Sequence, residues 1–244
     1  YHDNYHMELM TTTSITGTCY FLYWKEGRGG FMTQIMFEQG KYSTKEEFWN
    51  GLTHGIAAVM TIPATLLLVN KAQNQGSTIE LISYVIFGIS MFCLYFASTM
   101  YHSWPSHKTF LKKLDHSSIF LLIAGTYTPI ALVAIGGKLG WTIFAIQWIL
   151  ATIGIVLKQF FVHRFKVLSL FVYIGMGWIV IFVAKPLFAH IGIAGFTTLL
   201  IGGLSYTVGT YFYKNNRIPY NHAIWHLFVM GGSVAMFLAV YLYV

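Results

Sequence analysis

The chain has 244 residues, of which 56% are hydrophobic and only 9% charged, where soluble domains carry about 25% charge. A water-facing surface of that size needs charge to stay dispersed, so soluble readings are excluded and lipid is the solvent that fits. The net charge of +7 does not argue for nucleic acid, because the basic residues lie singly or in small groups between apolar runs.

Residues 1–30 mix polar and aromatic side chains without a sustained period, and they lack the basic start and apolar stretch of a cleavable leader. They are read as an upstream extension or added piece within an N-terminal cytoplasmic segment, residues 1–45. A membrane domain is expected over 46–244. A span needs about 20 mostly apolar residues to cross a hydrocarbon core of about 30 Å. Seven uncharged windows meet that need: Phe48–Asn70, Leu81–His107, His116–Gly137, Leu139–Leu157, Val167–Ala184, Pro186–Tyr213 and Ile218–Val244. None alternates like a barrel strand, so each satisfies its backbone as a helix. The expected fold class is an all-α membrane protein, a seven-transmembrane helix bundle. Pro129 predicts a kink and Pro186 a helix start. Gly202–Gly203 and Gly231–Gly232 predict close helix contact. Cys93 falls inside an apolar run and reads as a small buried hydrophobe.

Basic residues set the orientation. Lys25, Arg28, Lys41 and Lys45 precede the first span. Lys108, Lys112, Lys113, Lys158, Arg164, Lys166, Lys214 and Arg217 fall in the second, fourth and sixth connections. The opposite connections hold only Lys71, Lys138 and Lys185. That asymmetry predicts a cytoplasmic N-terminus and an extracytoplasmic C-terminus in a multi-pass cell-membrane protein.

Polar residues at span ends carry the chemistry. Glu47, Asn50 and His54 share one helix face at the start of the first span; interhelical hydrogen bonding is the ordinary reading. Ser98 and His102, four apart, share a face at the end of the second span. After Glu80 one carboxylate follows, Asp115, at the expected start of the third span, where it either caps a helix or serves a site. His116, Ser118 and Thr126–Tyr127–Thr128 either line a polar pocket or act as packing glue. His107, His163 and His190 are expected to be solvated or interfacial. His222 and His226 open the seventh span, spaced like the two histidines of a zinc-protease helix. The topology brings Ser98, His102, Asp115, His222 and His226 to one membrane depth. Three imidazoles with one open position match a catalytic zinc site. Magnesium and calcium want more oxygen ligands, while iron and manganese remain compatible.

Three motifs carry a resemblance: Glu47-x-x-Asn50-x-x-x-His54, then Ser98-x-x-x-His102 followed by Asp115-His116, then His222-x-x-x-His226. In that order they cover the chain from about Glu46 to the end. The chain resembles the progestin and adipoQ receptor (PAQR) family, and within it the bacterial hemolysin III-like branch. The resemblance implies seven helices with the N-terminus inside, and zinc held by His102, His222 and His226. It also implies that Asp115 and Ser98 lie close to the metal. Adiponectin receptors in the family are linked to ceramide hydrolysis and the bacterial branch to membrane lipid homeostasis, while the motifs do not imply the substrate. The chain stops at the end of the seventh span, so no tail for a soluble partner is expected.

The leading expectation is zinc-assisted hydrolysis of a lipid amide or ester, with Asp115 as general base and Ser98 orienting water or donating to the oxyanion. The alternative is a lipid or membrane-state sensor with structural zinc, in which Asp115 orients a ligand. Glu47, Asn50, His54 and His116 are expected as supporting or structural residues around the metal. A pore former is disfavoured, because the fourth and fifth spans hold almost nothing polar to line an aqueous path.

Overall fold

A computed structural model describes residues 42–162 and 166–244, together with strand backbone at residues 6–14, 17–25 and 35–38. The expected loop residue His163 lies outside the described residues. The N-terminal strands are β1 (His6–Ser14), β2 (Gly17–Lys25) and β3 (Ile35–Glu38), paired antiparallel in the order β1-β2-β3. The absence of period read in 1–30 therefore gives way to a strand meander, in keeping with the Thr, Tyr, Phe and Ile content there.

The rest is helical: α1 (Thr44–Gln75), α2 (Thr78–Ser103), α3 (Lys108–Pro129), α4 (Gly137–Phe161), α5 (Lys166–Trp178), α6 (Ala184–Lys214) and α7 (Asn221–Tyr243). Local chemistry fixes several ends. Ser43 and Glu46 form a capping box at the start of α1, the Ser43 amide donating to Glu46 Oε2 at 2.9 Å. Gly76 closes α1 in the left-handed conformation, and Ser77 at once caps α2. Pro129 has no N–H to donate, and the chain beyond it winds as a π-helix over Ile130–Ile135. The kink expected at Pro129 is this local unwinding. Pro186 lies in the first turn of α6, where a missing N–H costs nothing.

Six helical stretches among the described residues are long and apolar enough to cross a membrane, one fewer than the seven windows. The difference lies at Val167–Lys214, which runs as one stretch of 48 residues. The charge pattern puts Lys185 in an outer turn, but it sits inside helix. The backbone instead leaves helical geometry at Gly192, in a conformation open mainly to glycine. No charge marks that corner. The two arms lie side by side, since Trp178 Nε1 donates to Thr207 Oγ1 at 3.1 Å.

Helices also begin earlier and end later than the uncharged windows, because lysines ride on helix ends with their stems along apolar surface. Lys108, Lys112 and Lys113 belong to α3, and Lys158 lies inside α4. Asp115 is therefore two turns inside α3, which excludes the capping reading; residue His107 holds the cap position, in left-handed geometry.

Small residues let the helices approach. Gly202 and Gly232 seat α6 on α7, an added Cβ at Gly202 standing 3.2 Å from the Gly232 carbonyl oxygen. The other pair members, Gly203 and Gly231, touch side chains at looser distances. Cys93 is half-buried rather than fully buried. At the end of the bundle away from the histidines, Lys71 Nζ donates to the last-turn carbonyls of α7, Val240 at 3.2 Å and Tyr241 at 2.9 Å. Large apolar side chains such as Phe171 and Phe182 face outward, as a lipid-solvated surface requires.

Helices α1 and α2 carry Glu47 and His102, and their contact is tightest at Gly88, where an added Cβ would stand 2.2 Å from Thr65 Oγ1 and 2.8 Å from Thr65 Cβ. Gly88→Ala is expected to cost about 1–3 kcal/mol through overpacking. Adding Thr65→Ala should recover more than half of the lost unfolding temperature in detergent. Strictly additive single and double variants would contradict the contact.

Candidate metal centre

The site is assembled at one end of the bundle, from the last turn of α2, the first two turns of α7, and the start of α1 with the two residues before it. His102, His222 and His226 are 4%, 5% and 0% exposed. One ring nitrogen of each lies within 4.8 Å of the others, the one such grouping found among the described residues. The three histidines expected to meet do so: His102 and His222, 120 positions apart, place their Nε2 atoms 3.1 Å from each other.

Each ring is held from behind through Nδ1. Glu47 Oε2 lies 2.5 Å from His102 Nδ1. The Asn50 carbonyl oxygen lies 3.1 Å from His226 Nδ1, with Thr53 Oγ1 at the same distance. The Tyr42 hydroxyl lies 3.0 Å from His222 Nδ1. A carboxylate and a carbonyl can only accept, so His102 and His226 carry their protons on Nδ1 and turn Nε2 lone pairs inward. The Tyr42 phenol stays neutral, because burial above all, then Tyr213 and Tyr101, and then the carboxylates Glu47 and Asp115, push its pKa well above the ordinary value.

These donors fit a divalent ion that prefers imidazole. His226 Nε2 is buried with no hydrogen-bond partner, a state that costs about 1–3 kcal/mol unless something binds there. Two imidazoles on one tetrahedral zinc, at about 2.0–2.1 Å each, stand roughly 3.3 Å apart. The His102–His222 separation of 3.1 Å is close to that. Outer partners on the far nitrogen are also the usual support of ligating histidines.

The remaining expected residues fall into three places. Ser98, one turn before His102, is 1% exposed and its hydroxyl has no partner. Asp115 is 5% exposed and stands outside the close trio. Its Oδ2 lies 3.1 Å from His116 Nδ1, and Asp115, His116, His54 and His222 line one cavity of about 160 Å³. His54 stacks on His226 with ring centroids 3.5 Å apart and 12° between planes. It braces that ring, and both its own nitrogens are buried without partners. Asn50 contributes its backbone carbonyl, not its amide. Ser118 donates to the Asp115 carbonyl at 2.7 Å, so it acts within α3. Thr126 and Thr128 bond to carbonyls of their own helix, at Leu122 and Ala124. Tyr127 ties α3 to the end of α5 and the turn after it, donating to the Gly177 carbonyl and accepting from the Val180 amide, both at 2.7 Å. Thr126 and Tyr127 also line the cavity. His107 and His190 are exposed, as expected.

Tyr42 and Thr53 did not stand out in the sequence. Tyr42 offers one signal: it directly precedes the Ser43 cap, where a side chain folds back over the first turn. Thr53 offers none. Lys108 adds a cation behind the site, its Nζ bonding the Tyr101 carbonyl at 2.5 Å at the end of α2.

Comparison with known proteins agrees with the motifs. The family model described as haemolysin-III related matches residues 42–237. A hemolysin-3 homolog from Bacillus subtilis (strain 168) is 50% identical over 204 residues, covering 83% of this chain and 96% of that protein. Hemolysin-3 from Bacillus cereus is 46% identical over 215 residues, covering 87% and 98%. A more distant relative is the human monocyte to macrophage differentiation factor, 28% identical over 223 residues and covering 87% and 91%.

Removing either outer partner should loosen the site without abolishing it. Glu47→Gln and Tyr42→Phe are each expected to weaken divalent-metal affinity about 10- to 100-fold, read by competition with a chromogenic chelator. Wild-type affinity in both variants would refute the anchoring role.

Proposed function

The chain belongs to the haemolysin-III related family, and from that membership we propose that it is a zinc-dependent hydrolase of a membrane lipid amide or ester. One observation carries the reading. Three buried histidines, each held through Nδ1, turn their remaining nitrogens toward one point beside a largely apolar cavity that also holds a buried carboxylate.

His102, His222 and His226 would hold the zinc, which when bound supplies a Lewis acid for the scissile carbonyl and a more acidic water. Asp115 takes the proton of the attacking water and returns it to the leaving amine or alcohol. The Ser98 hydroxyl, which has no partner in the bundle, donates to the oxygen that gains charge; losing such a donor typically costs about 100-fold or more. The cavity walls from α3, α5 and α6 receive the acyl chain and exclude bulk water. Membrane lipid homeostasis is the setting in which such turnover would act.

The chain is proposed to cross the membrane seven times with its N-terminus in the cytoplasm. The corner at Gly192 and the Trp178–Thr207 bond support counting Val167–Lys214 as two spans, each arm being long enough to cross. The basic residues near the histidine end support placing that end inside.

The sensor reading retains one observation in its favour: the cluster links α2 to α7 at nearly full burial, where a bound ion also braces the bundle. Asp115→Ala separates the two. In purified full-length protein it should keep bound zinc, measured by elemental analysis, and the unfolding temperature, while lowering turnover of a ceramide, N-acyl amide or phospholipid ester by about 100-fold or more. His226→Ala should lose the metal. Loss of zinc and stability in Asp115→Ala would favour the sensor. Zinc-loaded wild type that cleaves none of these lipids would overturn the hydrolase.

A further inference from the structure

Lys158 was expected among the loop lysines that set topology, yet it lies inside α4 and is only 4% exposed. Its Nζ donates to Ser169 Oγ of α5 at 2.7 Å and sits 6.0 Å from the centre of the Tyr173 ring. Lys158, Ser169 and Tyr173 line the same cavity as Asp115, His116 and His222. Tyr173 stands between the two groups, its hydroxyl donating to the His116 carbonyl at 2.9 Å. The cation is thus on the wall of the space that receives lipid, at the histidine end of α4. Much of the rest of the lining is apolar, with Leu94, Ile119, Leu122 and Val229 among its residues.

Lys158 lies in the last turn of α4, where a lysine that only set topology would run along its stem to the surface, yet its side chain is buried against α5. The Ser169 hydroxyl accepts from the ammonium and holds it in place, and the Tyr173 ring face steadies the cation. An ammonium with a hydroxyl, facing a cavity whose remaining walls suit hydrocarbon, is complementary to an anionic oxygen group at the end of an alkyl chain.

Taking the cavity as the lipid site of the preceding reading, we infer that Lys158 is a specificity residue that recognises an anionic group, carboxylate or phosphate, on the bound lipid. Neutral lipids of the same chain length are then the weaker ligands. The inference concerns binding and needs no bond to be cleaved.

The test uses three single-chain probes that contain no ester or amide: tetradecanoate, tetradecyl phosphate and tetradecanol. Each displaces a fluorescent alkyl probe from purified, zinc-loaded full-length protein. Wild type should prefer at least one anionic probe to the alcohol by about tenfold or more, the scale of one charge-assisted hydrogen bond. Whichever anion is preferred identifies the source of the group. Lys158→Gln should lose that preference while binding tetradecanol as before, and Lys158→Arg should retain most of it. Ser169→Asp places a carboxylate against the lysine without removing it, and should abolish the preference even if Lys158→Gln fails to fold. Anion preference unchanged in Lys158→Gln or in Ser169→Asp would overturn the inference. If the preference behaves as stated but no lipid is turned over, only the hydrolase reading fails.

Discussion

The arrangement depends on how one short stretch of chain grips three imidazoles from behind. Tyr42, Glu47 and the carbonyl of Asn50 come from the first turns of α1 and the two residues before it, and each engages a different histidine Nδ1. A buried imidazole without such a grip can rotate, change tautomer, or present the wrong nitrogen. With it, at least two of the three rings have a fixed proton and a fixed lone pair. The capping box at Ser43 and Glu46 matters for the same reason, since it sets where α1 begins and hence the height of Glu47 and Asn50 over the site.

Lipid supplies the complementary constraint. Backbone polar groups in hydrocarbon must pair within their own helix, which leaves side chains as the only adjustable polar elements. Many polar side chains of this bundle gather at the histidine end or return to their own backbone, as Thr126 and Thr128 do, while others tie helices together, as Lys71 and Tyr127 do. Several buried polar atoms without a partner, the Ser98 hydroxyl, His226 Nε2 and both nitrogens of His54, belong to the histidine end, while Ser83, Tyr84 and Gln147 hold others elsewhere in the bundle. Beside a cavity with a carboxylate, those at the histidine end make a place for a polar guest.

Much of this was legible in the sequence, and the failures have a common cause. His102, His222 and His226 were readable because helical spacing stacks two of them and the odd–even rule of span ends brings the third to the same depth. Charge does not mark the helix boundaries: the helices run past the charged residues that bound the uncharged windows. Lysines at helix ends reach water along their stems, so Lys108, Lys112 and Lys113 concealed two turns of α3 and made Asp115 look like a cap. The corner at Gly192 had no charge to announce it, while Lys185, which looked like a turn, sits in helix. Tyr42 and Thr53 escaped notice because their contacts join positions about 180 and 173 apart, a pairing that no local period encodes.

The order of the parts along the chain has a bearing on how the protein is made. The gripping residues emerge ahead of His102, and His222 and His226 follow much later, on α7. Until that helix is threaded in and packed on α1, the nascent bundle offers one imidazole where three are needed. A ribosome stalled short of residue 222, or a last segment that slips out of the bilayer, leaves a product unable to retain an ion through this cluster. Occupancy of the centre would therefore report that α7 has been inserted and packed on α1.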